Sequence, residues 1–225
     1  MCARYLMTFP RHALQKRFGV KGDSAAAQIR TGYNISPSST VVSVIIVEGE
    51  RRLVALRWGL IPSWSKDEKI ASRTINAKAE TLSSKPSFAA AYKKRRCMIP
   101  ANGFYEWRAI SGKKTPYLIS LKDNGLFGFA GLYEGWKAPD GSILETCTVI
   151  TTEPNELIKP IHDRMPAIVA PDDESDWLDI SRYDEGRLRN ILRPYPDQLM
   201  ECVEVSSFVN NPRHDGAECV KRAGN

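Results

Sequence analysis

The apolar positions of this chain gather in short runs of strand length rather than in long helical stripes. Residues 40–62, TVVSVIIVEGERRLVALRWGLIP, place two β-branched or apolar runs on either side of a Glu-Gly pair and predict an antiparallel hairpin. The runs RCMIPANGFYEWRAI, TPYLISLKD, LFGFAGLYEGW and ETCTVITTE then follow one another. They are broken by SGKK, DNG and KAPDGS, turn chemistries that suit consecutive hairpins and so a mostly antiparallel sheet. Helices are fewer. KPSFAAAYKKRR has an early proline, alanines and a basic last turn, DDESDWLDI opens on acids, and DEGRLRNILRP stops at a proline. NELIKPIH makes at most a short helical turn ended by Pro160, and MECVEVSSFV returns to strand. The pattern predicts an α+β fold: one β-rich domain over residues 1–225 with a few peripheral helices.

Composition supports one globular unit. The 225 residues are 42% hydrophobic and 26% charged, with no repeat, low-complexity tract or linker to divide them. No run of about 18 apolar residues occurs, so no membrane-spanning helix and no membrane partner are expected. Pro10, Arg11 and His12 interrupt the start before an apolar signal region can form, which makes the cytoplasm the expected location, at the nucleoid in a prokaryote. The five cysteines are widely spaced, with no C-x-x-C pair and no histidine at zinc-finger spacing, so reduced thiols are expected and no metal site. Charge is more informative. The formal net charge is +6, yet PDDESDWLDISRYDE carries seven acids against one arginine, so the remainder sums to +12. That remainder includes Lys93 to Arg96, Arg51–Arg52 and Lys113–Lys114, an excess that suits either a polyanion partner or solvated surface cations.

Four stretches carry candidate chemistry. Cys2 follows the initiator methionine directly, where it either merely starts the strand-like run CARYLMTF or carries chemistry. With Met1 removed, it would bear an α-amine titrating near ~8 beside a thiol near ~8.5. Such a 1,2-aminothiol condenses with an aldehyde to an imine, and the tethered thiol then closes a thiazolidine. In TINAKAETL, Asn76 and Glu80 are polar positions, and Asn76 can equally cap a following helix. In GFYEW, alternation puts Phe104 and Glu106 on one face and Tyr105 and Trp107 on the other. A carboxylate among aromatics is desolvated toward a pKa useful for proton transfer, unless its face meets water. His162, one of three histidines, precedes Asp163, Arg164 and Pro166, and is either a proton shuttle or a turn residue bonded to local backbone.

Taken in order, MCARY, YNISP, LRWGLIPSW, INAKAET, RRCMIPANGFYEW, TPY, FAGLYE, VITTEPN and IHDRMP resemble the SOS response-associated peptidase (SRAP) family, the abasic-site processing proteins. The likeness spans about residues 2–170, and the remainder to 225 fits less distinctively. The resemblance implies a barrel-like core of antiparallel sheets, a basic groove for single-stranded DNA containing abasic sites, no cofactor and a monomer. It implies that Cys2 captures the ring-opened aldehyde, that Asn76 positions the cysteine and sugar, and that Glu106 and His162 move protons. It also implies DNA contacts at Arg4, Pro37, Trp64, Lys78, Trp107, Thr151 and Arg164, with cations for phosphates and indoles for unstacked bases. Two positions depart from the family pattern: Ala3 stands where glycine is usual, and Lys78 where arginine is usual. Two rival functions stay open. One is a cysteine peptidase with Cys2 as nucleophile and His162 as base, and the other a non-catalytic single-strand binding module.

Overall fold

Residues 40–58 close into the expected hairpin. Val47 pairs with Glu50, and the two residues between them, Glu48 and Gly49, take φ values of 53° and 77°, the left-handed pair that a two-residue antiparallel turn requires. The computed structural model describes residues 2–21, 31–110 and 112–224. Met1 and Ser111, the first residue of the expected SGKK turn, lie outside the described residues.

The described strands and helices run β1 (Tyr5–Met7), α1 (Arg11–Phe18), β2 (Gly32–Ile35), β3 (Thr40–Val47), β4 (Glu50–Trp58), β5 (Asn76–Lys78), α2 (Ala89–Lys94), β6 (Arg96–Ala101), β7 (Gly103–Ile110) and β8 (Lys113–Leu121). They continue through β9 (Phe127–Lys137), β10 (Ile143–Thr152), β11 (Met165–Pro166), β12 (Ile168–Val169), α3 (Glu174–Leu178), α4 (Glu185–Ile191) and β13 (Met200–Glu204). Strands β10, β4, β3, β6 and β9 are hydrogen-bonded in that order, and β9 pairs back onto β10 from Gly131–Lys137 to Ile143–Val149. The ring is therefore a closed five-stranded barrel, which removes the free edges that the same strands would leave in an open sheet. Only β10 breaks the antiparallel rule, running parallel to β4 and to β5. A second, open sheet follows the order β13-β8-β7-β1-β2.

The sheets meet over an aromatic core. Tyr5 makes edge contacts with Trp58 at 5.5 Å and Phe129 at 5.7 Å, and Phe129 also meets Phe104 at 6.0 Å and Phe127 at 5.4 Å. All five are buried, and each ring contributes about 1.5–3 kcal/mol of burial before entropy is counted. Trp58 does more than pack: its Nε1 donates to Ile75 O at 2.8 Å, which fixes the chain just ahead of β5. At the next residue, Gly59 (φ 126°), a Cβ would lie 2.9 Å from Ala71 O, so the turn leaving β4 has no room for a side chain.

Three local differences from the sequence reading have physical causes. Helix α1 was not expected because only Leu14 and Phe18 are buried on it, too few for an apolar stripe; Gly19, at φ 61°, ends it with a bond to Gln15 O. Strand β13 ends at Glu204, before the rest of MECVEVSSFV, which turns at Ser207–Asn210. The Lys93–Arg96 run is not one basic patch. Arg96 is 1% exposed and donates to Trp177 O (2.7 Å), Tyr92 O (2.9 Å) and Asp179 O, locking α3 to the barrel, while Arg95 pairs with Glu134. Among the described residues no helix is long and apolar enough to cross a membrane.

Candidate active site

Cys2 precedes β1 and is completely buried, rather than forming part of the strand as CARYLMTF suggested. Its carbonyl accepts a 2.7 Å hydrogen bond from Asn76 Nδ2. Asn76 reaches it because β5 lies parallel beside β10, with Asn76 opposite Val149 and Lys78 opposite Thr151. Asn76 therefore acts within a strand and does not cap a helix. Its Oδ1 is buried and has no hydrogen-bond partner, an acceptor left over after the Cys2 contact. Burial pushes the Cys2 thiol far up, and the neighbouring Glu106 carboxylate adds to the push.

Glu106 comes from the other sheet. On β7 both faces are covered: Phe104 and Tyr105 are fully buried, Glu106 is 2% exposed and Trp107 is half-buried. The alternation was right, but both sides of the strand are packed. Burial drives the Glu106 carboxyl up to about 7, into the range where it exchanges protons at neutral pH. His162 Nε2 lies 4.0 Å from Glu106 Oε2.

The His162 ring has two neighbours of opposite demand at Nδ1. The Arg164 backbone N–H donates to it at 3.0 Å, and Asp163 Oδ1 lies 2.9 Å away, a contact that becomes an ion pair only when the ring is protonated. Asp163 is 87% exposed, so water screens its pull, and burial lowers the His162 pKa. The neutral ring is favoured, and acceptance at Nδ1 puts its proton on Nε2, facing Glu106. Asn76, Cys2, Glu106 and His162 thus form one continuous constellation, drawn from β5, the segment before β1, β7 and the loop after β10.

The residues expected to contact DNA are placed less uniformly. Trp64, on the loop after β4, is 60% exposed, Lys78 is exposed at the end of β5, and Pro37 is half-buried in a turn. Arg4 lies 5.6 Å over the Trp107 ring and donates to Asn34 Oδ1 (2.8 Å) and Val209 O (3.0 Å), while Trp107 Nε1 donates to Asn210 Oδ1 at 2.7 Å. The Thr151 side chain is buried against Ala77 O. Arg164 is engaged by Glu80 and by Thr151 O.

Sequence reasoning missed Asn34, 3% exposed, which receives the Arg4 bond and donates to the carbonyls of Val209, Asn211 and His214. The signal was present: a carboxamide inside the apolar run GYNI must be hydrogen-bonded if it is buried. All five cysteines are free thiols, and among the described residues no three His, Cys, Asp or Glu side chains gather as metal ligands would.

The chain is similar to known proteins. Abasic site processing protein YoqW of Bacillus subtilis is 44% identical over 222 residues, spanning 98% of this chain and 99% of that one. Abasic site processing protein HMCES of Gallus gallus is 34% identical over 195 residues, 76% of this chain and 57% of that one. A crystal structure of a Bacteroides thetaiotaomicron protein superposes with a TM-score of 0.87 at 30% identity, over 99% of this chain and all (100%) of the other. The family model described as SOS response associated peptidase (SRAP) matches residues 1–212, and the chain belongs to that family.

Proposed function

We propose that this protein captures abasic sites in single-stranded DNA by forming a thiazolidine at Cys2. Removal of Met1 frees the α-amine of Cys2. The amine adds to C1′ of the ring-opened abasic sugar and water leaves, giving an imine. The thiol then adds to the same carbon, and its proton passes to nitrogen. Because amine and thiol share one residue, the second step is intramolecular.

The observation that carries this reading is the Glu106 carboxyl beside Cys2, with a pKa of about 7. A group half ionised near neutrality can take a proton from the attacking amine and return it to the departing hydroxyl. The His162 Nε2–H would donate to the deoxyribose oxygen as the ring opens. Asn76 holds the Cys2 carbonyl, and its unfilled Oδ1 offers an acceptor for a sugar hydroxyl. Exposed Trp64 and Lys78 would meet a base and a phosphate.

The test uses protein whose mass proves that Met1 is gone, a single-stranded oligonucleotide with one abasic site, and a denaturing gel. A heat-stable shifted band with wild type and none with Cys2→Ala is the expected result. Salt-dependent binding without any such band would make the protein a binding module.

A further inference from the structure

The sequence singled out Glu80 without giving it a role, and the mechanism above does not use it. Glu80 sits in the turn Ala79–Thr81, directly after β5, and grips Arg164 with both carboxylate oxygens: Nη1 to Oε1 at 2.8 Å and Nη2 to Oε2 at 2.9 Å. Arg164 Nη2 also donates to Thr151 O at 2.6 Å, and β11 ties the following residues to β10 through Thr151–Pro166 and Thr152–Met165. The Arg164 side chain is only 12% exposed. Burial would raise the Glu80 carboxyl, but the Arg164 hydrogen bond, a backbone N–H and the nearby Arg164 and Lys78 charges together outweigh it and hold the group below the ordinary carboxylate range, so Glu80 is a carboxylate at neutral pH. The backbone N–H of this same arginine occupies His162 Nδ1.

We propose that Glu80 is a positioning residue for His162, acting through Arg164. The fork fixes the Arg164 side chain, that side chain fixes its own backbone N–H, and the N–H holds the imidazole with its proton on Nε2. The five residues from Asn76 to Glu80 then secure both reacting partners: Asn76 holds the nucleophile's carbonyl, and Glu80 holds the loop that carries the acid–base group. A fork of this geometry needs arginine, since lysine presents a single point charge. The inference rests on the proposed role of His162 for its effect on rate, but not for its effect on the ring itself.

The test therefore reads the ring first. Full-length protein labelled with 15N-histidine contains three imidazoles, and His162→Gln assigns the signal. Wild type should show His162 as the Nε2–H tautomer. Glu80→Gln, which cannot accept both Arg164 bonds, should shift it toward a tautomer mixture, and Arg164→Lys should do the same. Glu80→Asp, which keeps the carboxylate, should preserve most of the wild-type signal and shows that the others are not merely misfolded. Adduct formation on abasic single-stranded DNA should slow roughly ten- to a hundredfold in Glu80→Gln, with little change in DNA affinity. An unchanged His162 tautomer in both Glu80→Gln and Arg164→Lys overturns the proposal. So does a loss of DNA affinity with an unchanged adduct rate, which would make Arg164 a phosphate ligand and Glu80 its neighbour. If wild type forms no adduct at all, the functional reading fails while the tautomer comparison still decides the positioning role.

Discussion

Glu106 and Glu174 are buried almost equally, 2% and 3% exposed, yet their surroundings give them opposite uses. Glu174 opens α3 and takes Arg17 from α1 at 2.9 Å and Arg51 from β4 at 3.2 Å. Arg51 also donates to Phe18 O, so one carboxylate ties two helices to the barrel. Glu106, on β7, faces a histidine at 4.0 Å and lies close enough to Cys2 to raise its thiol. Two guanidiniums close around a buried carboxylate make it a structural tie. Partners that themselves exchange protons leave the group titratable near neutrality, as an acid–base group must be.

That contrast can be broken by exchanging what each carboxylate contributes. Glu106→Gln keeps size and hydrogen-bonding capacity but cannot carry a proton back and forth. Single-turnover adduct formation should slow roughly 10²- to 10³-fold, with DNA affinity unchanged. Glu174→Ala should do the reverse. Urea unfolding should show a loss of about 2 kcal/mol, below the range for a fully buried pair because both arginines reach solvent, while adduct formation by the folded protein stays within twofold.

Stability should also follow pH through Glu106. Glu106 has a folded pKa of about 7, above its unfolded value, so its contribution is full below the unfolded value and is lost as pH rises through 7. Glutamine at this position has nothing to lose. Relative to wild type, Glu106→Gln should gain on the order of 2 kcal/mol between pH 5 and 8.5, measured by urea unfolding at each pH. A constant difference would mean that the carboxyl titrates as an exposed one does.

Much of the frame was legible in the chain. The Glu48–Gly49 turn identified the β3–β4 hairpin, and Glu106 stood out because a carboxylate between Tyr105 and Trp107 must be desolvated once the strand packs. What stayed hidden depends on long-range contact. Arg164, expected to contact DNA, is gripped by Glu80, 84 residues away, and Arg96 reads as surface charge yet disappears beneath α3. Helix α1 escaped because two buried side chains give no periodic signal. That Cys2 is buried against a strand 74 residues further on follows from the parallel pairing of β5 with β10, which no local pattern encodes.

The smallest effect is expected at Lys78, which is exposed at the end of β5 and outside both buried networks. Lys78→Arg replaces a point charge with a fork that can grip a phosphate, and should tighten single-stranded DNA by about threefold at low salt. Its adduct rate at saturating DNA should not change.

The most direct measurement is the ratio of wild-type to Glu106→Gln adduct rates, taken on Met1-free protein from pH 5 to pH 9. The ratio removes the part of the Cys2 amine titration that both proteins share, and the Glu106→Gln profile by itself reports the amine without the carboxyl. If Glu106 moves protons as described, the ratio climbs through an apparent pKa near 7 and then levels. A ratio independent of pH would show that the buried carboxylate shapes the site without taking part in the chemistry.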